Sequence, residues 1–69
     1  MYNYLVILEK TSTGHSAHVP DLPGCVTVGD TKEETMKHIQ EAIQFHIEGM
    51  KEDGLDIPEP NTEALRVSV

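Results

Sequence analysis

The sequence predicts an α+β fold of order β-β-β-α-β, with a three-stranded antiparallel meander, the last strand parallel to the first and one long helix on one sheet face. Three observations predict it. Three short runs rich in aliphatic residues follow one another closely before residue 30, each pair separated by Gly or Pro. A single long stretch then repeats its apolar residues at helical spacing. The last residues alternate apolar and polar side chains.

The first strand is expected over Tyr2 to Lys10 (Y-N-Y-L-V-I-L-E-K). Tyr4, Val6 and Leu8 share one face, and Leu5 and Ile7 the other, so apolar residues on both faces suggest a central strand. Thr11 to Gly14 is a turn, and His15 to Val19 a second strand with His15, Ala17 and Val19 on one face. Pro20-Asp21-Leu22-Pro23-Gly24 breaks the ladder, because each proline removes a donor and Gly24 frees the backbone. Cys25 to Val28 is a third strand.

Gly29 to Glu33 reads as a helix start, with Asp30 capping and Glu33 reaching back as in a capping box. Met36, Ile39, Ile43, Ile47 and Met50 mark a helix over about Thr31 to Asp53, and Gly54 is placed to end it in a left-handed cap. Leu55 to Thr62 is a connector, since Pro58 and Pro60 suit neither a helix nor a central strand. Ala64 to Val69 is expected as the closing strand, reached by a right-handed crossover and lying beside the first.

Composition narrows the function. The 69 residues form one domain, 1–69, whose core is small and invites burial against a partner. Twelve acidic residues against five basic give a net charge of -7. Phosphate backbones demand clustered Lys and Arg, so neither direct nucleic-acid binding nor attraction to an anionic membrane is expected. A basic protein partner suits this charge, although acidity alone also serves solubility. The lone Cys25 rules out an internal disulfide and fits a reducing, cytoplasmic setting. No signal peptide or membrane-spanning run is read.

The motifs are more specific. Val19-Pro20-Asp21-Leu22-Pro23-Gly24-Cys25 is followed by Thr27-Val28-Gly29-Asp30-Thr31, Glu33-Glu34, Glu41-Ala42-Ile43, Glu52-Asp53-Gly54 and Ile57-Pro58-Glu59-Pro60. In this order they resemble the HicB-like antitoxin family over nearly the whole chain, in a short form without a C-terminal DNA-binding domain. The resemblance implies a degraded ribonuclease-H-like fold and the antitoxin role in a two-protein module. It implies a small basic RNA-cleaving HicA-like toxin as partner, masked at its active surface, and pairing into a homo-oligomer, a dimer or tetramer. Thr35 stands where the family more often has Ala. Many family members continue into a helix-turn-helix or ribbon-helix-helix domain, whereas this sequence ends after the last expected strand, so operator binding by this chain is not expected. The alternative is a stand-alone oligomeric scaffold or regulatory module without a cognate toxin.

No catalytic, cofactor or metal site is expected. A ribonuclease-H-type centre needs carboxylates converging from strands and helix on Mg²⁺, and neither Tyr4–Leu8 nor Leu65–Val69 carries one. His15 and His18 point to opposite faces of a strand, and His38 and His46 lie more than two helical turns apart. Cys25 has no adjoining His or basic residue and reads as a small buried hydrophobe.

Two places are candidates for partner binding. Helical winding puts Glu34, Glu41, Phe45, Glu48 and Glu52 on one outward stripe, an acidic face around one phenyl ring that suits a basic partner with an apolar pocket. The same stripe also fits an ordinary solvated face with one aromatic. The turn around Asp21 and Leu22 is either a preorganised contact loop or simply a rigid bend, and turn chemistry accounts for each of its residues. The sheet face away from the helix is a further candidate, expected to pack against another subunit.

Overall fold

The structure is a computed structural model, and it describes residues 2–69. Three strands, β1 (Ile7–Lys10), β2 (His15–His18) and β3 (Val26–Gly29), precede one helix, α1 (Lys32–Glu52). The sheet has the order β1-β2-β3 with both pairings antiparallel. Ile7, His18 and Val26 stand in one cross-strand row, and Leu8, Ala17 and Thr27 in the next. Because successive side chains alternate, the second row faces the helix while Ile7, Glu9, Ser16, His18, Val26 and Val28 face away. The helix lies over β3 and β2.

The β2–β3 connection is two consecutive tight turns. Leu22 N–H donates to Val19 O at 3.1 Å, and Cys25 N–H to Leu22 O at 3.0 Å. Pro20 and Pro23 each take the position after the turn's first residue, where their fixed φ is already correct. Gly24 follows Pro23 with φ 82°, as a type II turn requires. Val19, Leu22 and Cys25 thereby all point inward at 2 %, 0 % and 5 % exposure, joining Ala17 and Ile39 as the buried hydrophobic core. Tyr4, Val6, Leu8, Ala42 and Ile43 pack around it.

The helix matches its expected span but not its expected cap. Thr31, not Asp30, is the N-cap, and its hydroxyl accepts from Glu34 N–H at 3.1 Å. Glu34 in turn accepts from the N–H of Asp30, the residue before the cap, at 3.3 Å, so the capping pair lies one residue further along than expected and its return bond reaches past the cap. Glu33 and Glu34 in the first turn and Lys51 in the last complement the helix dipole. At the other end Gly54 takes φ 70°. Its N–H reaches Lys51 O at 3.2 Å and the Leu55 N–H reaches Met50 O at 2.9 Å, the paired bonds of a Schellman cap.

Two expectations about strands are corrected. The first strand spans Ile7–Lys10 and leaves Tyr2 to Val6 outside the ladder. Ile7 pairs with His18, the last residue of β2, and Pro20 turns that chain away, so earlier residues have no partner to meet. The closing strand is absent as well: residues 55–69 carry no regular structure, and 61–69 are exposed throughout. No strand lies on the far side of β1 among the described residues, which makes β1 an edge, not a central strand. The crossover segment is held elsewhere, by bonds to Tyr4 and Asp21. Among the described residues no helix is long and apolar enough to cross a membrane.

Candidate functional site

Glu34, Glu41, Phe45, Glu48 and Glu52 all lie on the helix and are exposed. The opposite side of that helix is fixed to the body by Thr35 and Ile39, at 0 % and 1 % exposure. The Thr35 hydroxyl donates to Thr31 O at 2.7 Å, which satisfies the one buried polar side chain of the first turn. Burial of that side forces the glutamate stripe outward, and Phe45 at 80 % exposure stands in its middle. Glu34 differs from the others. It is committed to the helix cap and lies 3.9 Å from His38, whose Nδ1 is 2.9 Å from Val28 O. Glu41, Phe45, Glu48 and Glu52 therefore form the free part of the stripe.

The two loop residues are otherwise employed. Leu22 is wholly buried and cannot meet a partner; it plugs the core beneath the paired turns. Asp21 is turned toward the chain's own later segment. One carboxylate oxygen accepts the Asn61 N–H at 3.0 Å and the Thr62 N–H at 3.1 Å, and the other accepts the Thr62 hydroxyl at 2.8 Å. These donors, the Asn61 N–H first, hold its pKa below the ordinary carboxylate value against a smaller desolvation effect. Tyr4 supports the same segment from the other side, donating its hydroxyl to Pro58 O. Asp21 and Tyr4 thus fasten the connector. No local pattern signals this, because the partners lie about forty or more positions apart along the chain.

The open sheet face forms a second surface. Val26 and Val28 are 62 % and 66 % exposed there, beside Ile7. The sequence points to this face through the apolar residues on both sides of the first strand, and the period-two spacing of Val26 and Val28 is the signal that adds them to it. The Cys25 thiol is buried, and desolvation raises its pKa, which keeps it protonated and a poor nucleophile. Among the described residues no three His, Cys, Asp or Glu side chains are grouped to hold a metal ion. What the described residues present is an acidic helix stripe around Phe45 and an apolar patch at Val26 and Val28.

Comparison with known proteins decides the family. The model of the HicB-like antitoxin of bacterial toxin–antitoxin systems matches residues 4–67. The chain belongs to the HicB-like antitoxin family. A chain of a HicA3 and HicB3 toxin–antitoxin complex superimposes with a TM-score of 0.73 and 32 % identity, covering 87 % of this chain and 70 % of that one. An uncharacterized 14.9 kDa protein of Haemophilus phage HP1 is 48 % identical over 58 residues, which are 84 % of this chain but 44 % of the phage protein. A UPF0150 protein of Thermoplasma acidophilum is 43 % identical across 93 % of this chain and 94 % of its own length. Antitoxin HicB 2 of Photorhabdus laumondii is 37 % identical over 87 % of this chain and 43 % of that protein. The HicB-like domain is thus matched both by a protein of its own size and by ones about twice as long, of which it spans less than half.

Proposed function

We propose that this HicB-like domain neutralises a small, basic, RNA-cleaving toxin of the HicA kind by covering the toxin's active surface. The observation that carries the reading is the structural likeness, at a TM-score of 0.73, to a chain of a HicA3 and HicB3 complex. The charge of -7 supports it, because a cationic RNA-binding surface is drawn to an anionic one and loses its RNA when covered. The domain acts as a binding protein and performs no reaction itself. Its β-β-β-α body is read as a reduced ribonuclease-H-like core.

Within that reading the contact is made by Glu41, Phe45, Glu48 and Glu52, with the phenyl ring entering an apolar pocket and the carboxylates meeting Lys or Arg around it. The face bears no burden of folding, so it can be altered independently. Phe45→Ala and the double exchange Glu41→Lys/Glu48→Lys should each weaken capture of a HicA-type toxin by roughly ten-fold or more, as loss of an anchoring aromatic or of rim charges does. The helical circular dichroism signal should stay unchanged. Unaltered affinity in both variants, measured by calorimetry, transfers the contact to the open sheet face around Val26 and Val28. A stand-alone regulatory module is the second reading. It is favoured by the full-length match to a UPF0150 protein of the domain's own size, and failure to co-purify with any HicA-type toxin would select it.

A further inference from the structure

We propose that the toxin docks by adding one extended segment, its side chains alternately basic and apolar, as a strand on the outer edge of β3. The proposal rests on the antitoxin reading and names the element that makes the contact.

The edge follows from the ladder. β3 is paired with β2 alone. The Val19 N–H donates to Cys25 O at 3.1 Å, and backbone groups turn toward and away from the partner alternately along an antiparallel pair. Cys25, Thr27 and Gly29 therefore face β2, while Val26 and Val28 turn their N–H and C=O groups outward. Among the described residues, Val28 O alone of these groups has a partner, the His38 Nδ1 at 2.9 Å. Edge strands are commonly blunted by a charge or a proline. β1, the other edge, ends in Glu9 and Lys10, whereas the V-T-V-G of β3 carries neither device.

The helix supplies the rest of the site. α1 lies over β3 and β2, and His38 reaches past β3 to the outward carbonyl of Val28, so this side of the helix overhangs the edge. Helical winding places Glu34, Glu41 and Phe45 within about 60° of His38 around the axis. Met36, Gln40 and Ile43 line the other flank, beside Val6. A strand laid beside β3, at about 4.8 Å, runs under the acidic side.

The chemistry of the occupant is set by that position. Alternate side chains of an added strand point to opposite faces. On the helix side they meet Glu41 and the Phe45 ring, which suits Lys or Arg. On the other side they extend the exposed apolar patch of Val26 and Val28, which suits Val, Ile or Leu. Backbone bonds to Val26 and Val28 supply affinity, and the alternation selects the partner. The incoming strand needs Val28 O, so His38 is a cover that the partner displaces.

The test uses the complex of the whole chain with a HicA-type toxin. Hydrogen exchange followed by NMR should slow roughly ten-fold or more at the Val26 and Val28 amides when toxin is bound. The Leu8 and Lys10 amides, on the outer edge of β1, should not change. Val26→Pro deletes an outward donor, which an edge strand tolerates, and should weaken binding about ten-fold in calorimetry. His38→Ala uncovers Val28 O and should strengthen binding by up to about ten-fold. The exchange measurement uses the unaltered chain, so it decides the matter whether or not Val26→Pro folds. Toxin that binds while Val26 and Val28 exchange at their free rates overturns strand addition and leaves the antitoxin reading standing, as does unchanged affinity in both variants. Toxin that does not bind at all overturns both.

Discussion

The two flanks of the sheet are built differently. On the β2–β3 side, most of the Val19–Cys25 segment is committed to structure. Two prolines set the turns, Gly24 permits the second, and Val19, Leu22 and Cys25 fill the core. On the β1 side the strand is short and its outer edge is open. The same contrast divides the helix, whose inner side holds Thr35 and Ile39 while its outer side exposes Phe45 and the glutamates. The packed flank maintains the fold, and the open flank and outer helix face are free to meet other molecules.

Substitution at the packed flank should have the largest effect. Leu22→Ala removes a side chain with no exposure and leaves a cavity between the turns and Ile39. Loss of about 2–5 kcal/mol is expected for such a change, a large share of the stability of a domain this size. Urea unfolding followed by circular dichroism measures it, and a loss below about 1 kcal/mol would mean that the two turns are not a rigid part of the core.

A smaller effect is expected where the two flanks are joined. Asp21 has its pKa lowered, chiefly by the Asn61 N–H and then by the Thr62 hydroxyl. A depressed folded value means that this carboxylate contributes stability above its unfolded pKa, about 3.9, and loses it as pH falls through the folded value. NMR titration should therefore show the Asp21 carboxyl with a midpoint below about 3.9, and the Asn61 and Thr62 amide shifts should move with it. Asp21→Asn should abolish that joint titration while the Leu22 and Ile39 methyl shifts stay in place. Titration of Asp21 at the ordinary value would mean that the connector at Asn61 and Thr62 is not tied to the loop.

What is legible in the sequence follows the same division. Turns and helix are legible because their chemistry is local: Pro20, Pro23, Gly24 and Gly54 stand where their backbone angles require them. The cap is displaced by one residue because Asp30/Glu33 and Thr31/Glu34 both satisfy the same spacing, and local pattern cannot choose between them. The length of β1 depends on where its partner stops, which Pro20 decides from another strand. The expected closing strand rests on alternation alone, and alternation does not say which edge receives it. Of the candidate contact residues, the outward stripe follows from helical winding. Leu22 does not, although the spacing Val19, Leu22, Cys25 with a proline after each of the first two marks three inward positions. Asp21 acts through a contact with Asn61 and Thr62 that no local pattern shows.

Whether this domain silences an RNA-cleaving partner by covering it is tested most directly by titrating the purified domain into a HicA-type toxin that is cleaving a defined RNA. Cleavage should fall in proportion to added domain and cease near equal molar amounts. Undiminished cleavage in the presence of a large molar excess would contradict the masking mechanism.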